Sequence, residues 1–124
     1  MMLVVDNIRC GYGDIEILKG ISFVIPKGNI IAIIGANGAG KTTTIRAISR
    51  LINLTSGSIT FDGVDLSTVQ PNQLVKMGLS QIPEGRQVFS ELTVDENLEM
   101  GGFSIKDKIV LRERIKKCMK NSLI

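Results

Sequence analysis

Histidine and tryptophan are absent from this 124-residue chain, and tyrosine occurs once, at Tyr12. Without an imidazole, no mechanism using histidine as base, metal ligand or phosphate sensor can run on this chain alone. Cysteine is confined to Cys10 and Cys118, far apart and in no CxxC spacing. That usage suits reduced thiols in a cytosolic setting and not a disulfide scaffold. No segment approaches the ~18 uninterrupted apolar residues that span a bilayer. The N-terminus also lacks a basic region leading into an apolar run and a small-residue cleavage site. A protein of this kind that works at a membrane is expected to work beside it. Internal repeats and low-complexity stretches are missing too.

What is present is ordinary for a globular protein: 44% hydrophobic and 22% charged residues, in a length that suits one modest domain. The net charge of +3 is unevenly spread. Residues 106–120 carry seven Lys and Arg against Asp107 and Glu113, a local +5, so the rest of the chain is −2. No aromatic residues interleave those charges, so the stretch reads as a solvated helix face, and nucleic acid is not an expected partner.

The pattern of apolar residues predicts strands at Leu3–Ile8 and Ile21–Ile25, the second closed by a turn at Pro26-Lys27-Gly28. Ile30 to Ile34 is apolar at every position, as in a strand of a parallel sheet buried on both faces. A helix is predicted over Thr42–Leu51, with Ile45, Ile48 and Leu51 at helical spacing. Ser58–Phe61 and Gly78–Ile82 read as short strands, and Pro71–Met77 as a short helix with Pro in its first turn. Thr93-Val94-Asp95-Glu96 matches a capping box that starts a helix at Val94 and ends it near Gly101-Gly102. A last helix is expected from Lys106 to about Met119, with Ile109, Ile115 and Met119 toward one side.

Between the all-apolar run and the first predicted helix lies Gly35-Ala36-Asn37-Gly38-Ala39-Gly40-Lys41-Thr42, which fits G-x-x-x-x-G-K-[ST]. Gly35, Gly38 and Gly40 permit a tight turn and keep side chains out of the way, so that backbone N–H groups can form an anion nest. The positive end of the following helix reinforces them. Lys41 supplies a full charge to the β- and γ-phosphates. Thr42 offers a hard oxygen to Mg²⁺, and Thr43 can hydrogen-bond the α-phosphate. A glycine-rich strand–helix turn can also bind nothing; the apolar strand, the helix, the Asn-Gly pair and the second Thr all favour phosphate. The expected ligands are ATP and Mg²⁺.

These residues resemble the ATP-binding subunit of an ABC transporter. Gly35 to Thr43 looks like that family's Walker A, and Thr55-Ser56-Gly57-Ser58-Ile59 with Asp62-Gly63-Val64-Asp65-Leu66 is similar to its next characteristic stretch. Ile82 to Phe89 and Leu92 to Leu98 resemble the branch that energises import of branched-chain amino acids. The resemblance implies an α/β P-loop NTPase core with an N-terminal antiparallel β region and the start of a helical subdomain. It divides the chain into 1–103, part of the ATP-binding domain with a glutamine-loop region at 81–89, and 104–124, the start of a truncated helical subdomain. It places Tyr12 where the family stacks an aromatic on adenine, a role a flat phenol can fill; a half-buried tyrosine at a strand end is the bland alternative. It also aligns Glu84, and not Gln81, with the family's Mg²⁺-reaching glutamine, because the family's proline immediately precedes that residue and here Pro83 precedes Glu84. A solvent-exposed loop acid is the bland alternative for Glu84.

The family's other machinery, a Leu-Ser-Gly-Gly-Gln-like signature, an apolar strand ending in Asp-Glu and a later His, does not occur in these 124 residues. The expectation is therefore an incomplete domain, roughly the N-terminal half, in which Lys41 and Glu84 assist but no residue carries out the hydrolytic step. The implied whole protein is an ATPase that pairs with a second ATPase subunit. It sits beneath membrane permease subunits on the cytoplasmic face of the membrane and energises uptake of branched-chain amino acids. A urea or amide importer, a non-transport ABC protein and an inactive nucleotide-binding fragment remain as alternatives. Alone, such a chain is expected to expose apolar patches and unpaired strand edges.

Overall fold

Asn7 sets the shape of the first strand. The strand β1 spans Leu3–Tyr12, and Leu3 and Val5 point inward in the ordinary two-residue alternation. The register then slips between Val5 and Ile8, with Asn7 at φ 47°, and the inward set becomes Ile8 and Cys10. This bulge explains why the alternation is weak in the sequence and why β1 runs further than Ile8. The Asn7 N–H donates to the Ser22 hydroxyl at 2.8 Å, which satisfies a donor that the slipped ladder leaves over.

These features come from a computed structural model that describes residues 2–122 except Asn37, Ala39, Pro83, Glu84, Arg86 and Gln87. The chain forms two compact units, Met1–Gln81 and Ile82–Ile124. In the first, β1 pairs antiparallel with β2 (Ile15–Ile25) on one edge and β3 (Ser56–Phe61) on the other, and β3 pairs with β4 (Val64–Asp65). The order is β2-β1-β3-β4. One face carries the core: Val5, Ile8, Cys10, Leu18, Ile59 and Phe61 from the sheet, Ala47 and Ile48 from α1 (Lys41–Ile48), and Leu66, Val69 and Leu74 from the segment that follows β4. Burial of each large aliphatic there contributes about 1.5–3 kcal/mol.

Several expectations are corrected. Residues 29–36 adopt no regular structure, and Ile30 is 100% and Ile34 93% exposed. A parallel strand is stable when ladders flank it and helices cover it; among the described residues nothing pairs with this run. Leu79 to Ile82 likewise form no strand, because Gly78 turns at φ 97° and caps the four-residue helix α2 (Leu74–Met77). The expected helix at Pro71 opens instead as a 3-10 turn, Pro71–Gln73. Helix α1 stops at Ile48, short of Leu51, and Arg50 follows at φ 59°. Its buried face is Thr43, Thr44, Ala47 and Ile48, whereas Ile45 and Leu51 are exposed.

In the second unit, α3 (Val94–Gly101) begins at Thr93, whose hydroxyl accepts from the Glu96 N–H at 3.1 Å. The Glu96 carboxylate accepts from the Thr93 N–H at 3.0 Å, completing the predicted box. Asn97 binds the preceding loop: its carbonyl accepts from the Phe89 N–H, and its amide donates to the carbonyls of Phe89, Leu92 and Thr93. Arg112 of α4 (Lys108–Ser122) bonds Asp95 at 2.8 Å and Glu99 at 3.2 Å. Ile115 is buried, but Ile109 is exposed and does not share its side.

Candidate nucleotide-binding site

Leu18 of β2 is fully buried and lies directly against the turn that opens α1. A Cβ placed on Gly40 would meet the Leu18 side chain at 2.8 Å, and Gly40 has φ 100°. Both the space and the left-handed backbone require glycine at this position. Gly38 also takes positive φ, 86°. The Thr44 N–H and hydroxyl both return to the Gly40 carbonyl at 2.8 Å, which holds the first turn of the helix onto the loop.

The start of α1 suits an anion. Gly40 provides no side-chain cap, and no acidic residue occupies the first turn, so nothing on the helix itself neutralises its N-terminal amides. The Lys41 ammonium folds back and donates to the Gly35 carbonyl. That bond links the start of the helix back to the first residue of the loop. Thr42 is exposed beside it, while Thr43 is 6% exposed. Asn37, Ala39 and Glu84 lie outside the described residues.

Tyr12 closes β1 at the Gly13-Asp14 turn and is 43% exposed. Its hydroxyl accepts from the Arg46 guanidinium of α1 at 3.1 Å. The Arg46 bond first, and the Thr43 hydroxyl second, hold the Tyr12 phenol below its ordinary ionisation range. Tyr12 is thus joined to the helix that carries Lys41, Thr42 and Thr43. Arg46 was passed over in the sequence, although its place four residues beyond Thr42 puts it on that residue's face of the helix. A cavity of about 370 Å³ opens elsewhere in this unit, between Arg50, Thr55, Ser58 and Asp65, and none of the candidate residues lines it.

The model of the ABC transporter family matches residues 18–123. The chain belongs to the ABC transporter family. It is part of an ABC ATP-binding domain, a kind of domain that binds ATP. The high-affinity branched-chain amino acid transport ATP-binding protein BraG of Pseudomonas aeruginosa is 42% identical over 82% of this chain and 44% of its own length. The probable branched-chain amino acid transport ATP-binding protein LivF of Archaeoglobus fulgidus is 32% identical over 92% of this chain and 48% of its own. ATP-binding proteins of lipopolysaccharide export and linearmycin resistance match as well. A solved ATP-binding subunit of an ABC transporter superposes with a TM-score of 0.78 at 31% identity, over 92% of this chain and 47% of that one. The ABC chain therefore spans a little under half the length of BraG and of LivF. No helix among its described residues is long and apolar enough to cross a membrane.

Proposed function

We propose that this chain carries the phosphate- and base-binding part of an ABC importer ATPase that energises uptake of branched-chain amino acids. The observation that carries the reading is the loop of residues 35–43. Left-handed glycines lead into a helix whose first residue is the lysine that bonds back to the Gly35 carbonyl. On nucleotide binding the Lys41 ammonium exchanges the Gly35 carbonyl for β- and γ-phosphate oxygens. The expected N–H donors of the loop, Asn37 and Ala39 among them, would serve the same oxygens. Thr43 reaches the α-phosphate, and the Tyr12 ring covers adenine.

Bound Mg²⁺ would offset phosphate charge. Its protein ligands would be the Thr42 hydroxyl, a hard oxygen, and, as the family resemblance implies, Glu84, directly or through water. The whole protein would pair with a second ATPase subunit and dock on permease subunits at the cytoplasmic face of the membrane, with residues 104–124 opening its helical subdomain. The 42% identity to BraG supports the substrate class.

Calorimetric titration of the folded chain with Mg-ATP tests the site. Lys41→Ala is expected to weaken binding at least about tenfold. A folded wild-type chain that shows no affinity at millimolar Mg-ATP sinks the reading. For the substrate, deletion of the gene is expected to lower uptake of labelled leucine, isoleucine and valine. Loss of urea or amide uptake instead, with leucine entry intact, points to the alternative importer.

A further inference from the structure

Tyr12 stands at the end of a strand with nearly half of its surface open, so packing alone leaves its ring several rotamers to sample. The bond from Arg46 removes that freedom, and it does so from the same eight-residue helix that Lys41 opens. Because the bond is made to the phenolic oxygen, it grips the ring at its rim and uses none of its flat face.

We infer that Arg46 is a positioning residue for nucleotide binding: by bonding the Tyr12 hydroxyl it holds the phenol ring at a set distance from the phosphate loop, ready to receive the base. The inference rests on the proposed role of residues 35–43 and Tyr12. A ring that must be ordered during binding subtracts that cost from affinity, and a ring ordered beforehand does not. Arg46 acts through Tyr12 and contacts no part of the nucleotide.

The distinguishing property of such a residue is that only a ligand with a base senses it. Calorimetry of Arg46→Met is expected to show Mg-ATP binding about fivefold weaker, with the affinity for Mg-tripolyphosphate unchanged. Arg46→Lys should recover part of the loss. Tyr12→Phe, which keeps the ring and removes the acceptor, should reproduce it, and adding Arg46→Met to Tyr12→Phe should cost nothing more. Tyr12 is the sole tyrosine of a chain without tryptophan, so phenolate absorbance reports this contact alone. Arg46→Met should raise the ionisation toward the ordinary tyrosine range.

Equal losses for ATP and tripolyphosphate would make Arg46 a direct phosphate cation and overturn the inference. So would unchanged ATP affinity in Arg46→Met, or additive losses in the double variant. A wild-type chain that binds neither ligand removes the nucleotide reading itself, an outcome told apart because the phenol titration still shows whether the Arg46 bond exists.

Discussion

Gly40 concentrates two constraints in one residue: a left-handed backbone at φ 100° and a neighbour, Leu18, that leaves no room for a Cβ. Gly40→Ala is expected to lower stability by about 1–2 kcal/mol from the backbone alone. The displaced Leu18 adds to that, and a shift of the urea unfolding midpoint measures the sum. The same variant should lose more ATP affinity than its stability loss accounts for, because the loop N–H groups leave their alignment. The glycine, lysine and threonine of this loop were legible in the sequence because their chemistry is local, set by nine consecutive residues. The bond between Arg46 and Tyr12 was not. It joins residues 34 apart, and only the packing of α1 beside the β1–β2 hairpin brings them together.

The start of α3 is fixed by reciprocal bonds between Thr93 and Glu96, and that start should respond to acid. The Thr93 N–H, and then its hydroxyl, hold the Glu96 carboxyl below its ordinary value of 4.5. A depressed carboxyl contributes stability above its unfolded value, and that stability is lost as pH falls through the folded value. The protection factors of the α3 amides, taken relative to the intrinsic exchange rate at each pH, should therefore fall on acidification through and below pH 4.5. Glu96→Gln should flatten the dependence, and Thr93→Ala should lower protection by about 1 kcal/mol at neutral pH. Unchanged acid sensitivity in Glu96→Gln would assign the effect to another carboxyl. This helix was readable in advance because a capping box is a four-residue signal. The Ile30–Ile34 run was misread because its apolarity describes an environment that only a completed ladder supplies, and no described residue supplies it.

For the molecule as a whole, that run is the largest departure from an ordinary surface. Ile30 and Ile34 are almost fully exposed, and Ile31 and Ile33 are over 40% exposed between them. Contiguous apolar surface of this kind favours self-association. The chain is expected to scatter light increasingly with concentration, and Ile30→Lys combined with Ile34→Lys should reduce the scattering without moving the unfolding midpoint. A double variant that associates as strongly as wild type would place the adhesive surface elsewhere. The position of β1 has a further consequence. It is an inner strand of its sheet, paired on both edges, and its first residue, Leu3, pairs with Phe61. On the ribosome the β1–β2 hairpin can close early, but its other edge has to wait until Phe61 has cleared the exit tunnel. Throughout that interval the nascent chain carries both an open strand edge and the exposed isoleucines, which a chaperone can bind.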